Sequence, residues 1–105
     1  MNGSQNDWRS QVAKHDPVAH QKMIDYLGHI TGGDAIPQPY RELMLFASST
    51  ATRFRPSMET HGHRAIEQGA TTDQLFQAAA LASLSGGFTC LILAMEVMDQ
   101  LKAVG

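Results

Sequence analysis

Apolar residues recur along this chain at three- and four-residue intervals, the spacing of one face of an α-helix. No stretch shows the period-two alternation of a half-buried strand. Asp7 precedes Trp8, Val12 and Ala13, where it can cap a short first helix. Asp16-Pro17 then offers an N-cap followed by proline at the first helical position, opening a second helix through Val18, Met23, Ile24, Tyr26 and Leu27. The turn-rich stretch from Gly28 to Pro39 is expected to stop that helix. A third helix beginning near Pro39 places Leu43, Phe46, Ala47, Ala51 and Phe54 on one buried face. Pro56, without an N–H and in conflict with the preceding turn, sets a boundary and starts a fourth helix. That helix carries Met58, His61, Gly62, Ala65 and Ile66 on one stripe and ends at Gly69. Thr71-Thr72-Asp73-Gln74 has the form of a capping box for a fifth helix holding Leu75, Phe76, Ala79, Leu81, Ala82 and Leu84. Gly86-Gly87 closes it. A sixth helix follows from about Phe88 to Val104, apolar nearly all round as far as Met95 and amphipathic beyond. The pattern predicts an all-α protein, a compact bundle of about six helices.

Size and composition narrow the function classes. At 105 residues the chain is expected to form a single domain spanning 1–105, and 43% hydrophobic with 17% charged residues is a globular composition. The formal charge is -2, with acids and bases interspersed, so no basic stripe awaits a phosphate backbone and no nucleic-acid partner is expected. The uncharged run between Gln77 and Glu96 approaches membrane-spanning length, but Gly86-Gly87 interrupts it and Ser83, Ser85 and Thr89 dilute it. It reads as two buried helices meeting at a glycine corner, with no membrane partner. Met1 to Ser10 contain no apolar core of a secretory signal, which leads to the expectation of a cytoplasmic protein. The lone Cys90 cannot form an internal disulfide and reads as a small core residue. A last helix that is apolar on every side needs more cover than a chain this short supplies, so a homo-oligomer is expected.

His61 is the most informative candidate, because it occupies a stripe where an apolar side chain is expected. Imidazole is the side chain that changes charge closest to neutral pH, which suits it to proton transfer. The alternative is a core histidine bonded to a backbone carbonyl. Glu42 falls in the first turn of the third helix, where the macrodipole alone favours a carboxylate. If the third and fourth helices pack side by side, Glu42 can approach His61 as an acid–base pair. Ser57 lies one turn before His61, so a hydrogen bond between them is allowed, yet no G-x-S-x-G elbow marks a hydrolase. Arg53 and Arg55 can hold an anionic substrate near the Pro56 corner, with Phe54 between them, although arginines at a helix end also suit its dipole. Glu59 and His63, one turn apart, can form a weak metal pair or a solvated ion pair. The five histidines share no clear ligand spacing, and neither metal nor cofactor is expected.

Several of these residues carry a resemblance. Arg41-Glu42-Leu43 opens a helix, His61 begins a His-x-x-x-Ala pattern, and Ile66-Glu67-Gln68-Gly69-Ala70-Thr71 follows. Gly86-Gly87 then precedes an apolar last helix, while Asp16-Pro17, Pro37 and Pro39 lie upstream. In this layout the run from Arg41 to Leu101 resembles the carboxymuconolactone decarboxylase and alkylhydroperoxidase D superfamily. The resemblance implies an alkylhydroperoxidase D-like helical fold and a trimer or hexamer. The peroxidase branch of that superfamily carries a Cys-x-x-Cys pair ahead of the histidine, at the positions that Phe54 and Ser57 occupy here. A hydroxyl and an apolar ring have no thiolate and form no disulfide. The cysteine-free decarboxylase branch is similar in keeping an acid–base pair, which falls here on Glu42 and His61.

Two readings follow. One is a cofactor-independent acid–base lyase or isomerase acting on a small carboxylated or lactone-like metabolite, with His61, Glu42 and Ser57 catalytic and Arg53, Arg55 and Phe54 binding substrate. The other is a non-catalytic oligomeric scaffold or small-molecule-binding protein on the same fold.

Overall fold

The computed structural model describes residues 7–104, with side chains as far as Leu101. The described residues are all-α and contain six helices and no strand: α1 (Trp8–His15), α2 (Pro17–Thr31), α3 (Tyr40–Ala51), α4 (Arg55–Glu67), α5 (Thr72–Gly86) and α6 (Phe88–Val104). Of the leading stretch read for a secretory signal, residues 1–6 lie outside the described residues. The chain divides into two units, 1–35 with α1 and α2 and 36–105 with α3 to α6.

In the first unit the N-terminal signals act unequally. Asp7 accepts a backbone bond from Gln11 but its side chain caps nothing. The Asp16 carboxylate, in contrast, accepts from the Ala19 N–H at 3.0 Å, with Pro17 beside it at a position that needs no donor. α2 stops within the turn-rich stretch, as expected, though beyond its first glycine. A single glycine weakens a helix by only about 1 kcal/mol, and the ladder continues to Thr31, whose hydroxyl bonds the Leu27 carbonyl at 2.8 Å. Gly32 ends the helix, its N–H returning to Gly28. No residue of α1 or α2 is buried.

The second unit holds the core. α3 packs against α4 and α5, α5 against α6, and α4 against α6. Phe46, Met58, Leu75 and Val97 fill the centre, with Ala65, Ala79 and Ala94 where the helices approach closely. Gly62 leaves room for two core side chains, since an added Cβ would sit 2.6 Å from Leu101 Cδ1 and 3.1 Å from the Phe46 ring.

α3 ends at Ala51, short of the expected Phe54. Arg53 turns left-handed (φ 58°) and Phe54 becomes the extended N-cap of α4, so its ring is exposed instead of buried. Pro56 sits in the first turn of α4. Past its C-terminus Gly69 (φ 100°) reverses the chain, and the Ala70 N–H closes on the Ala65 carbonyl at 2.9 Å. The capping box of α5 forms in full: the Gln74 N–H donates to Thr71 Oγ1 at 3.1 Å and the Thr71 N–H to Gln74 Oε1 at 2.9 Å. The glycine corner admits the α3 backbone, because a Cβ on Gly86 would lie 3.0 Å from both Cα and O of Ala51. Leu75, Ala79 and Ala82 face inward from α5, whereas Phe76, Leu81 and Leu84 stand exposed. Among the described residues no helix is long and apolar enough to cross a membrane.

Candidate acid–base site

Glu42 is placed by the first turn of α3, which begins just after Pro39. His61 lies in the middle of α4, at the edge of the stripe formed by Met58, Gly62 and Ala65. Packing of α3 on α4 brings Glu42 Oε1 to 2.7 Å from His61 Nδ1, across nineteen positions of sequence. The two side chains keep only 10% and 18% of their exposure, which limits competition from water without closing the imidazole off. A carboxylate can only accept, so in this pair Nδ1 carries the hydrogen and the lone pair of the neutral ring falls on Nε2. Nε2 makes no hydrogen bond among the described residues. The geometry is that of an oriented imidazole with one nitrogen held and the other available for proton exchange.

The other expected site residues fare differently. Ser57 is half-buried one turn before His61, but its hydroxyl makes no hydrogen bond to the imidazole, and no Ser–His–Glu relay forms. Arg53 is committed to the fold. Its Nε donates to Thr89 Oγ1 at 3.1 Å and Nη1 to the Ala51 carbonyl at 3.3 Å, while Nη2 lies against the Gly86 carbonyl and Thr89 Oγ1. Arg55 pairs with Glu59 at 3.1 Å and Glu96 at 3.4 Å. Neither guanidinium, nor the exposed ring of Phe54, is joined to the Glu42–His61 pair by a hydrogen bond or ion pair. His63 Nε2 lies 3.4 Å from Glu67 Oε2 and Glu59 pairs with Arg55, so the structure shows no Glu59–His63 contact. Among the described residues no group of three or more His, Cys, Asp or Glu side chains is arranged to hold a metal. Cys90 is fully buried and free.

Arg64 was not anticipated as a site residue. It is exposed, three positions beyond His61 on α4, and its guanidinium makes no hydrogen bond or ion pair among the described residues. The i, i+3 spacing from His61 is the signal that identifies it. Two surface grooves flank the bundle. One of about 350 Å³ lies between α3 and α5, lined by Tyr40, Leu43, Met44, Ala47 and Leu81 among others. The second, of about 560 Å³ between α4 and α6, includes Glu59, His63, Arg64 and Gln100. Neither is lined by Glu42 or His61.

No family model matches this chain, and neither a curated protein nor a solved structure does.

Proposed function

We propose that this protein is a cofactor-independent acid–base catalyst, a carboxymuconolactone decarboxylase-like lyase or isomerase acting on a small carboxylated or lactone-like metabolite. The observation that carries the reading is the 2.7 Å contact between Glu42 Oε1 and His61 Nδ1 with Nε2 left unbonded. In a decarboxylation the C–C bond electrons pass to the adjacent carbon as carbon dioxide leaves. That carbon then takes a proton. His61 Nε2, protonated, delivers it, and Glu42 holds the ring in orientation and stabilises the imidazolium before transfer. An isomerisation uses the same nitrogen first as base and then as acid. Arg64 replaces Arg53 and Arg55 as the cation available for a substrate carboxylate, since those two are engaged inside the fold. Thiol peroxidase chemistry does not fit, because Phe54 and Ser57 stand where the superfamily's cysteines would be and Cys90 is the single thiol of the chain. A lone, buried, free thiol accords with a reducing cytoplasm.

The test is carbon dioxide release and product formation on a panel of 3-oxo acids and carboxylated γ-lactones. For any substrate turned over, His61→Ala and Glu42→Gln are each expected to lower kcat by about 10²–10⁴-fold, the usual contribution of a positioned acid–base group. Turnover unchanged in both variants would sink the proposal.

A second reading, a non-catalytic small-molecule binder or scaffold, draws on a different observation: neither groove is lined by Glu42 or His61. It predicts ligand binding that is indifferent to His61→Ala and sensitive to Met44→Ala or Leu81→Ala in the α3–α5 groove.

A further inference from the structure

The two grooves of the second unit differ in the ends of the side chains that wall them. Leu43, Met44, Ala47 and Leu81 dominate the one between α3 and α5, whereas the one between α4 and α6, about 560 Å³, is lined by Glu59, Thr60, His63, Arg64 and Glu67 from α4 and by Gln100 from α6. Their aliphatic stems complete its wall. Each of these side chains therefore brings a polar group to the groove. The guanidinium of Arg64 makes no hydrogen bond or ion pair among the described residues, although Glu67 is one turn away, because Glu67 is turned to His63.

We propose that this groove binds a polyhydroxylated monocarboxylate, the chemistry of a sugar acid. A guanidinium takes a carboxylate through two parallel charge-assisted hydrogen bonds, and Arg64 is a cation of the groove with no anion bonded to it. The hydroxyls follow from what surrounds it. Glu59 Oε2 accepts from Arg55 at 3.1 Å and Glu67 Oε2 lies 3.4 Å from His63 Nε2, so each carboxylate keeps a second oxygen that can only accept. Thr60 donates its hydroxyl hydrogen to the Pro56 carbonyl at 3.0 Å and is left with its lone pairs. Acceptors grouped around one cation call for a ligand that is anionic at one end and rich in O–H donors along the rest, while the Gln100 amide both donates and accepts. Other occupants fit less well. A plain alkyl acid would desolvate the two carboxylates without giving either a hydrogen bond. A dianion such as phosphate would bring a second negative charge against Glu59 and Glu67, and a polyamine would meet Arg64. A metal lacks its ligands, since no three His, Cys, Asp or Glu side chains among the described residues are arranged to hold one. Arg64 also stands one turn from His61, so the inference deepens the acid–base reading and rests on it in taking the occupant of the groove as the substrate.

Titration of the ¹⁵N-labelled full chain with D-gluconate at low ionic strength, followed by amide shifts, tests it. Gluconate is expected to bind with a Kd of about 1 mM or below, with the largest shifts on α4 between Glu59 and Glu67 and at Gln100. Hexanoate, the same chain without hydroxyls, and sorbitol, the same hydroxylated chain without the carboxylate, are each expected to bind at least tenfold more weakly. Arg64→Gln should weaken gluconate at least tenfold and Glu67→Ala severalfold, with helix content by circular dichroism unchanged, since both side chains are exposed. Binding is read without turnover, which separates the two failures. Gluconate bound by a protein whose turnover is indifferent to His61→Ala and Glu42→Gln sinks the acid–base reading alone, and turnover lost in those variants without gluconate binding sinks this inference alone. An absence of shifts up to about 50 mM gluconate overturns the proposal. So do hexanoate or sorbitol binding as tightly as gluconate, an affinity unchanged in Arg64→Gln, or shifts confined to the α3–α5 groove.

Discussion

Glu42 and His61 meet because Glu42 stands within the buried stripe of α3, one turn before Phe46, and His61 at the flank of the stripe that Met58, Gly62 and Ala65 form on α4. A polar pair can be held there at 2.7 Å while the apolar core stays unbroken. The carboxylate fixes which ring nitrogen bears hydrogen, and this is measurable. Long-range ¹H–¹⁵N spectra of the protein above neutral pH should show His61 with its proton on Nδ1, and Glu42→Gln should remove that preference, because an amide can turn either its oxygen or its NH₂ to the ring. A predominant Nε2–H form in the wild type would contradict the arrangement. Two glycines give opposite expectations at the same scale. Gly86→Ala places a Cβ against the backbone of Ala51, which cannot rotate away, and should destabilise by about 1–3 kcal/mol in urea unfolding. Gly28→Ala meets nothing within 4 Å in the interior of α2 and should raise helicity, a gain of up to about 1 kcal/mol.

At the scale of elements, helix termini decide where the site residues stand. The reciprocal Thr71–Gln74 bonds fix the start of α5, and Thr71→Ala should cost about 0.5–2 kcal/mol, read as a lower denaturation midpoint. Arg53 has two jobs at the α3–α4 corner: a left-handed backbone and a guanidinium that ties the corner to Gly86 and Thr89. Substituting it therefore separates conformation from contact. Arg53→Ala loses the bonds and keeps the positive φ, whereas Arg53→Gly loses the bonds and relieves the backbone. The glycine variant should be the more stable of the two by about 1 kcal/mol. Equal stabilities would mean that the backbone strain is negligible. Arginine types near a proline corner are legible in sequence as cations, but their pairing is not, since Thr89 and Gly86 are more than thirty positions away.

For the molecule as a whole, burial is confined to one part of the chain. Among the described residues all the buried side chains belong to α3 to α6 and the short turn at Ala70, and none to α1 or α2. Amide hydrogen exchange should follow this division. The slowest amides are expected around Phe46, Met58, Leu75 and Val97, with α1 and α2 exchanging orders of magnitude faster, as local opening without buried apolar contacts requires. Protection in α2 equal to that in α4 would show that the hairpin has cover from a further surface.

The apolar period determined the existence, order and type of all six helices, because a buried stripe repeats at the pitch of the helix that carries it. Local chemistry likewise determined the Asp16 and Thr71 caps and the reversal at Gly69, each settled within four residues. The early end of α3 escaped, since a left-handed arginine is decided by small differences in backbone energy. Tertiary packing alone decided which of the candidate polar residues meet. It brought Glu42 to His61, left Ser57 unbonded to that ring, turned Arg53 and Arg55 onto the fold, and left Phe76, Leu84, Phe88 and Ile92 facing out. Periodicity reports that a residue lies on an apolar stripe. Which neighbour covers that stripe depends on contacts between helices distant in sequence, and those no local period reports.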